Sequence, residues 1–278
     1  MITAPLSSSS AWTDYFARAD VPVLRRTKRT LGQLAADIEN TSARDVAAVA
    51  MRDPLMAAKL FAHIAERRSG RQLTDITTVE GCVFMMGVPP FFRTFGQLQT
   101  VEDRLRVSIP ALRGLLRVMR RARRASNFAW DFARWRVDLG IEEIAIAALL
   151  HDLAEMLVWC FAPTLALRIE ALQAANPHLR SRAAQRDVLG VEIHDVQLAL
   201  AKRWHLPELL VTMMDDDNAS HPRVCNVAFA VSLARHSARG WTDPALPDDY
   251  QNIARLLNTT PAFVQQQLES GRGLASRR

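Results

Sequence analysis

The chain is short of the residues that build phosphate loops and disulfide frameworks. Only 11 of its 278 residues are glycine, and none of them forms a glycine-rich phosphate loop, so the backbone cradle of P-loop and dinucleotide sites is missing. The three cysteines, Cys82, Cys160 and Cys225, show no C-x-x-C spacing, and any pairing leaves one over. That pattern fits a reduced, cytoplasmic compartment better than a secreted scaffold. No zinc-finger spacing or RNA-recognition motif occurs, and no serine or cysteine sits in a nucleophile elbow, so nucleophilic catalysis finds no support. The N-terminus MITAPLSSSS has neither the basic region nor the apolar core of a signal peptide. The apolar run before His151 is too short to span a bilayer, and no membrane association is expected. Tyrosine is nearly absent, at 2 residues, and few stretches alternate strictly between apolar and polar, which argues against a sheet-rich fold.

What is present is 49% hydrophobic residues, enough for a substantial core. The spacing predicts an all-α fold. Residues 1–20 read as a Ser-rich leader with an amphipathic segment around Trp12, Tyr15 and Phe16 that can dock on the main body. A helical region is expected over Val23 to Glu39. Ser42 with Asp45 opens another helix, and Asp53-Pro54 opens the next, because aspartate caps while proline is tolerated in a first turn. A polar break follows at Ser69-Gly70. Thr77 or Thr78 caps VEGCVFMMG, which ends at Gly87. Near the C-terminus, Val224 to Ala238 reads as a helix and Trp241 to Asp249 as a Pro-containing loop. Tyr250 to Leu257 and Pro261 to Leu268 make a last pair, with Thr259 or Thr260 capping the second.

The longest apolar stretch, Ile141 to Pro163, is read as one helix carrying a His151-Asp152 pair in its middle. A polar pair there has two explanations. A divalent metal needs nitrogen and oxygen donors from a rigid helix, with further ligands from other helices. Alternatively, both side chains are buried and satisfied by hydrogen bonds to neighbours, and from two residues alone this second reading is preferred. His194, in LGVEIHDVQLAL, is read the same way. Asp215 to Asp217 can attract a cation, but an acidic run at a helix end is usually a solvated loop.

Basic charge concentrates between Arg104 and Arg136, where Ser108 and Pro110 open an amphipathic helix. Arg113, Arg117, Arg120 and Arg124 fall on one stripe, and Leu112, Leu115, Leu116 and Met119 on another. The sharper reading of that stripe is an anion site for nucleotide or nucleic acid. The plainer one, preferred here, is a solvated face or arginines paired with acids on neighbouring helices.

The order of these pieces resembles the HDOD family, bacterial signalling output domains related to metal-dependent HD phosphohydrolases. The resemblance runs from about Pro22 to about Ala238. It rests on Arg52-Asp53-Pro54 within SARDVAAVAMRDPLMAAKLFAHIAERRSG, on AALLHDLAEMLV around His151, and on LGVEIHDVQLALAKRWHLPELL with His194 and Trp204-His205-Leu206-Pro207. It implies a multi-helix HD-like bundle with a packed N-terminal helical subdomain. The expected divisions are a leader over 1–20, an N-terminal subdomain over 21–105, an HD-like subdomain over 106–270 and a disordered tail over 271–278.

The resemblance also implies what is missing. A working HD site takes an early His, the His-Asp pair and a late Asp as metal ligands. Here the early position falls near Arg120 or Arg121, and the late one near Ala234 to His236, without a carboxylate. Cyclic-dinucleotide phosphodiesterase relatives carry a lysine where this chain has Glu155, and a carboxylate cannot steady phosphate charge as a cation does. Where many members have a His pair after the Leu-Pro turn, this chain has Met214-Asp215-Asp216-Asp217-Asn218. His151, Asp152 and His194 are therefore read as a vestigial site with no metal, no other cofactor and no catalytic residue. Arg120 or Arg121 is expected to pair with Asp152 in place of the metal charge. The function implied is a non-catalytic signalling module that contacts other signalling proteins, whose identity the sequence does not give. The alternatives are a metal-dependent phosphohydrolase with rearranged ligands, and binding of nucleotide or nucleic acid by the Arg-rich helix.

Overall fold

A computed structural model describes residues 1–66, 76–176, 178–218 and 221–270. Among them the chain is helical throughout, with no strand and one isolated bridge between Val23 and Thr100. The expected break at Ser69-Gly70 and the tail over 271–278 lie outside the described residues. In chain order the helices begin with α1 (Ser9–Arg18), α2 (Arg25–Ala36), α3 (Ala43–Ala50), α4 (Pro54–Glu66), α5 (Val79–Met86), α6 (Val88–Phe95) and α7 (Val101–Arg104). The middle holds α8 (Ile109–Trp135), α9 (Ile141–Leu150), α10 (Leu153–Phe161), α11 (Pro163–Ala175), α12 (Ser181–Leu189) and α13 (Ile193–Arg203). The chain closes with α14 (Glu208–Met213), α15 (Pro222–His236), α16 (Leu246–Leu257) and α17 (Pro261–Glu269). Two compact units result, each gathering two stretches of sequence: 1–119 with 152–207, and 120–151 with 208–278.

In the first unit the helix starts are set by their caps. Ser42 and Asp45 form a reciprocal capping box on α3, and the Thr78 hydroxyl accepts from Gly81 N to start α5, which stops at Gly87 with φ 81°. Asp53, with no exposed surface, does more than cap α4. Its Oδ1 accepts from Leu55 N (3.1 Å) and Met56 N (3.4 Å), while Oδ2 accepts from Leu24 N (2.8 Å). The expected helix over Val23 to Glu39 starts later, at Arg25, because Val23 is spent on an extended pairing. Val23 N donates to Gln99 O and Val101 N donates to Val23 O, each at 2.9 Å. The amphipathic N-terminal segment docks: α1 lies on α13 with Trp12 and Phe16 fully buried, and the Tyr15 and Phe16 rings lie 5.8 and 6.1 Å from that of Phe161. Gly114 on α8 sits so close under Trp159 that a Cβ there would be 2.3 Å from the indole ring, so only glycine fits without a shift.

In the second unit α15 packs against α9, α14 and α16, and α16 packs against α17. Phe132, Ile144, Leu149, Leu150, Val227 and Ile253 are among its fully buried side chains. The helix expected from Tyr250 begins earlier, at Leu246, because Pro247 falls in its first turn, where the missing N–H is no loss. Of the two expected caps for α17, Thr259 and Thr260, it is Thr260 that caps the helix.

The stretch read as one helix from Ile141 to Pro163 is broken. Its 21 residues from Ile141 to Phe161 are long and apolar enough to cross a membrane, yet most of the run is buried inside the fold. α9 ends at Leu150, α10 starts at Leu153, and Asp152 between them has φ −99° and ψ 25°. The Ala154 N–H donates to Gln197 Oε1 at 2.7 Å, so a side chain on α13 takes a bond that the helix would otherwise supply. Pro163 opens α11 instead of closing the run.

Candidate functional site

The break places His151 at the C-terminal end of α9, 9% exposed. Its Nε2 lies 3.1 Å from Asp216 Oδ1. A carboxylate oxygen accepts, so an imidazole Nε2–H is the matching donor for this contact. Asp216 is brought there by a one-turn segment, Asp216–Asn218. That turn is set by Asp215, whose Oδ1 accepts from Asp217 N and Oδ2 from Asn218 Nδ2, both at 3.1 Å. The acidic run, weighed as a cation attractor and read as a solvated loop, therefore brings the Asp216 carboxylate to His151.

Asp152 is half-buried ahead of α10 and makes no capping bond to it, and Glu155 is half-buried one turn into α10. His194 is half-buried in the first turn of α13 with its Nε2 inside the protein. Arg120 is exposed and Arg121 half-buried on α8. His205 has φ 50° in the turn before Leu206.

A metal of the HD kind does not fit what is present. Its ligands would have to be His, Asp and similar donors converging in number. Among the described residues no three His, Cys, Asp or Glu side chains come together in that way. The nitrogen that His151 would offer already faces Asp216. What remains is an imidazole held by a carboxylate, which can orient or shuttle a proton.

The arginine stripe of α8 is divided. Arg113, Arg117 and Arg120 are exposed, and Arg117 pairs with Glu170 on α11. Arg124 instead sinks half-buried into the second unit, where Nη1–H donates to Ser237 O at 2.8 Å and Nη2–H to Ser237 Oγ at 2.9 Å. Two helical turns beyond it, Asp131 is 4% exposed, and its Oδ2 has no hydrogen-bond partner among the described residues. Burial pushes that carboxyl up to about 6, and Arg134 pulls it back only in part. On α15, Asn226 is fully buried with both amide atoms unpartnered among the described residues.

The fold is shared with known proteins. No curated protein matches the chain. Among solved structures, the MmoQ response regulator of Methylococcus capsulatus is similar at a TM-score of 0.60 and 15% identity, over 86% of this chain and 99% of that one. A virulence factor from Campylobacter jejuni is similar at 0.61 and 17%, over 96% and 92%. An HDOD domain protein from Geobacter sulfurreducens is similar at 0.52 and 17%, over 94% and 93%. At these identities the likeness is one of fold. The HDOD domain family itself matches residues 21–220, which is most of the sequence, and the chain belongs to that family.

Proposed function

We propose that the protein is a non-catalytic HDOD module that works in the cytoplasm of a bacterium and passes a signal by contacting other signalling proteins. The observation that carries this reading is the state of His151: its Nε2 faces Asp216, and no third donor group of the metal-ligating kinds gathers among the described residues. A hydrolytic HD centre needs a metal to polarise phosphate and generate hydroxide, and these side chains offer no such set. Exposed apolar side chains support contact with other proteins: Phe84 and Met85, adjacent on α5, are 81% and 57% exposed. One neighbour in fold is named a response regulator, and a role in signalling agrees with that.

A second reading keeps the enzyme. His151 and Asp216 are a nitrogen and an oxygen donor side by side, and a metal-dependent phosphohydrolase with rearranged ligands would begin from such a pair. The experiment that separates the two is metal analysis of the purified protein, with assays on generic phosphoesters and cyclic dinucleotides in added manganese. Neither stoichiometric metal nor turnover is expected. Stoichiometric metal with turnover abolished by Asp152→Ala and by Asp216→Asn would overturn the non-catalytic reading.

A further inference from the structure

Arg124 is half-buried in the second unit and pairs with no carboxylate among the described residues. Half-buried cations are ordinarily matched by carboxylates, yet among the described residues Arg124 bonds only to Ser237, through its carbonyl and its hydroxyl. Burial pulls its pKa down, and no neighbouring charge offsets that pull. The carboxylates nearest in sequence to Ser237 are turned to other donors. Asp243 Oδ1 accepts from Ala245 N at 3.0 Å. Asp249 accepts from Ser232 Oγ at 2.9 Å and lies 2.7 Å from His236 Nδ1. The carbonyl end of α15 offers a partial negative charge, which accounts for the two bonds to Ser237. A guanidinium has about five N–H donors, so those two bonds leave donors over.

The surroundings of those donors suit an anion attached to an apolar body. The Arg124 guanidinium lies 5.6 Å from the centre of the Phe128 ring and 6.0 Å from that of Trp241. Aromatic faces at these distances attract a guanidinium and offer an apolar surface beside it. Arg239, exposed, ends the short turn that Ser237 begins, and Gly240 at φ 124°, a conformation that side chains disfavour, leads directly into half-exposed Trp241. One turn of chain thus supplies an acceptor for Arg124, a second arginine and an aromatic face.

We propose that Arg124, Arg239 and Trp241 form a binding site for a small phosphate monoester, whose phosphate pairs with the two guanidinium groups and whose organic part packs on the indole. A planar fork of donors matches phosphate oxygens in pairs, which a lysine could not do. The site uses none of His151, Asp152 or His194, so it stands whether or not the His-Asp pair is catalytic.

The test is calorimetric titration of the full chain at low salt with adenosine monophosphate and, separately, inorganic phosphate. Adenosine monophosphate is expected to bind with a Kd below about 1 mM and to weaken as salt is raised. Arg124→Gln is expected to weaken both anions roughly tenfold or more, while Trp241→Leu weakens the nucleotide and leaves phosphate unchanged. His151→Ala leaves both intact. If Arg124→Gln does not fold, the exposed Arg239→Gln carries the same test with an expected loss of about fivefold. No saturable heat up to about 10 mM of either anion, or equal affinity in wild type and the arginine variants, would overturn the site. Equal affinity for the two anions would remove Trp241 from it.

Discussion

Replacing Asp131 by asparagine should make the protein more stable at neutral pH and leave it nearly unchanged below about pH 3.8, where the carboxyl is protonated in both states. The carboxyl is 4% exposed on α8, one of its oxygens has no hydrogen-bond partner among the described residues, and burial pushes its pKa from 3.8 up to about 6. A raised carboxyl pKa means that the folded state holds the proton more tightly than the unfolded one. The stability this confers is therefore whole below about pH 3.8 and is lost as pH rises through about 6. A difference of about two pKa units corresponds to roughly 3 kcal/mol at its upper limit, and solvent screening lowers that to about 1–3 kcal/mol. Asparagine keeps the shape and never ionises. Urea denaturation followed by circular dichroism from about pH 3 to about pH 8 should show the variant's advantage appearing above about pH 3.8, growing with pH and levelling above about pH 7. Parallel pH profiles for the two proteins would refute the reasoning, because they would mean that Asp131 titrates alike in the folded and unfolded chains.

Two further changes test the packing of the first unit. Gly114→Ala places a methyl 2.3 Å from the Trp159 ring; the overpacking loss of roughly 1–3 kcal/mol should exceed the gain of about 1 kcal/mol in helix propensity, and a raised melting temperature would contradict it. Asp53→Ala strips the acceptor from the backbone N–H groups of Leu24, Leu55 and Met56, and about 3–5 kcal/mol of stability should go with it, read as a lower urea midpoint; an unchanged midpoint would show that these donors find other partners.

The parts of the fold that were legible in the sequence are those that local chemistry decides. Ser42 with Asp45, Thr78 with Gly87, and Thr260 each mark a helix boundary within a few residues of themselves, and the observed caps agree. The parts that were not legible depend on residues far along the chain. Nothing in IAALLHDLAEM announces a break, because the side chain that receives the Ala154 N–H is Gln197, forty-three positions away. Val23 looks like the first residue of a helix until Thr100 is seen beside it. Asp215, Asp216 and Asp217 are chemically identical, and only the turn made by Asp215 selects Asp216 for His151. Arg124 belongs to a regular stripe by spacing, yet it serves Ser237 while Arg113, Arg117 and Arg120 stay at the surface. The family was legible because order along the chain carries it; the use of each polar side chain was not, because tertiary distance carries that.

The division of the chain into interleaved stretches bears on how the protein is made. Residues 120–151 belong with 208–278, and the stretch 152–207 between them belongs with 1–119. On the ribosome, Ile144 to Leu150, every one buried in the finished fold, emerge well before the helices α14, α15 and α16 of their own unit. At ordinary rates of synthesis that wait is on the order of ten seconds. The first unit can close around its core as soon as Pro207 is out, while the second must hold an apolar helix in waiting. The nascent chain therefore has a defined interval, between the synthesis of α9 and that of α15, in which a holding chaperone would find its best target.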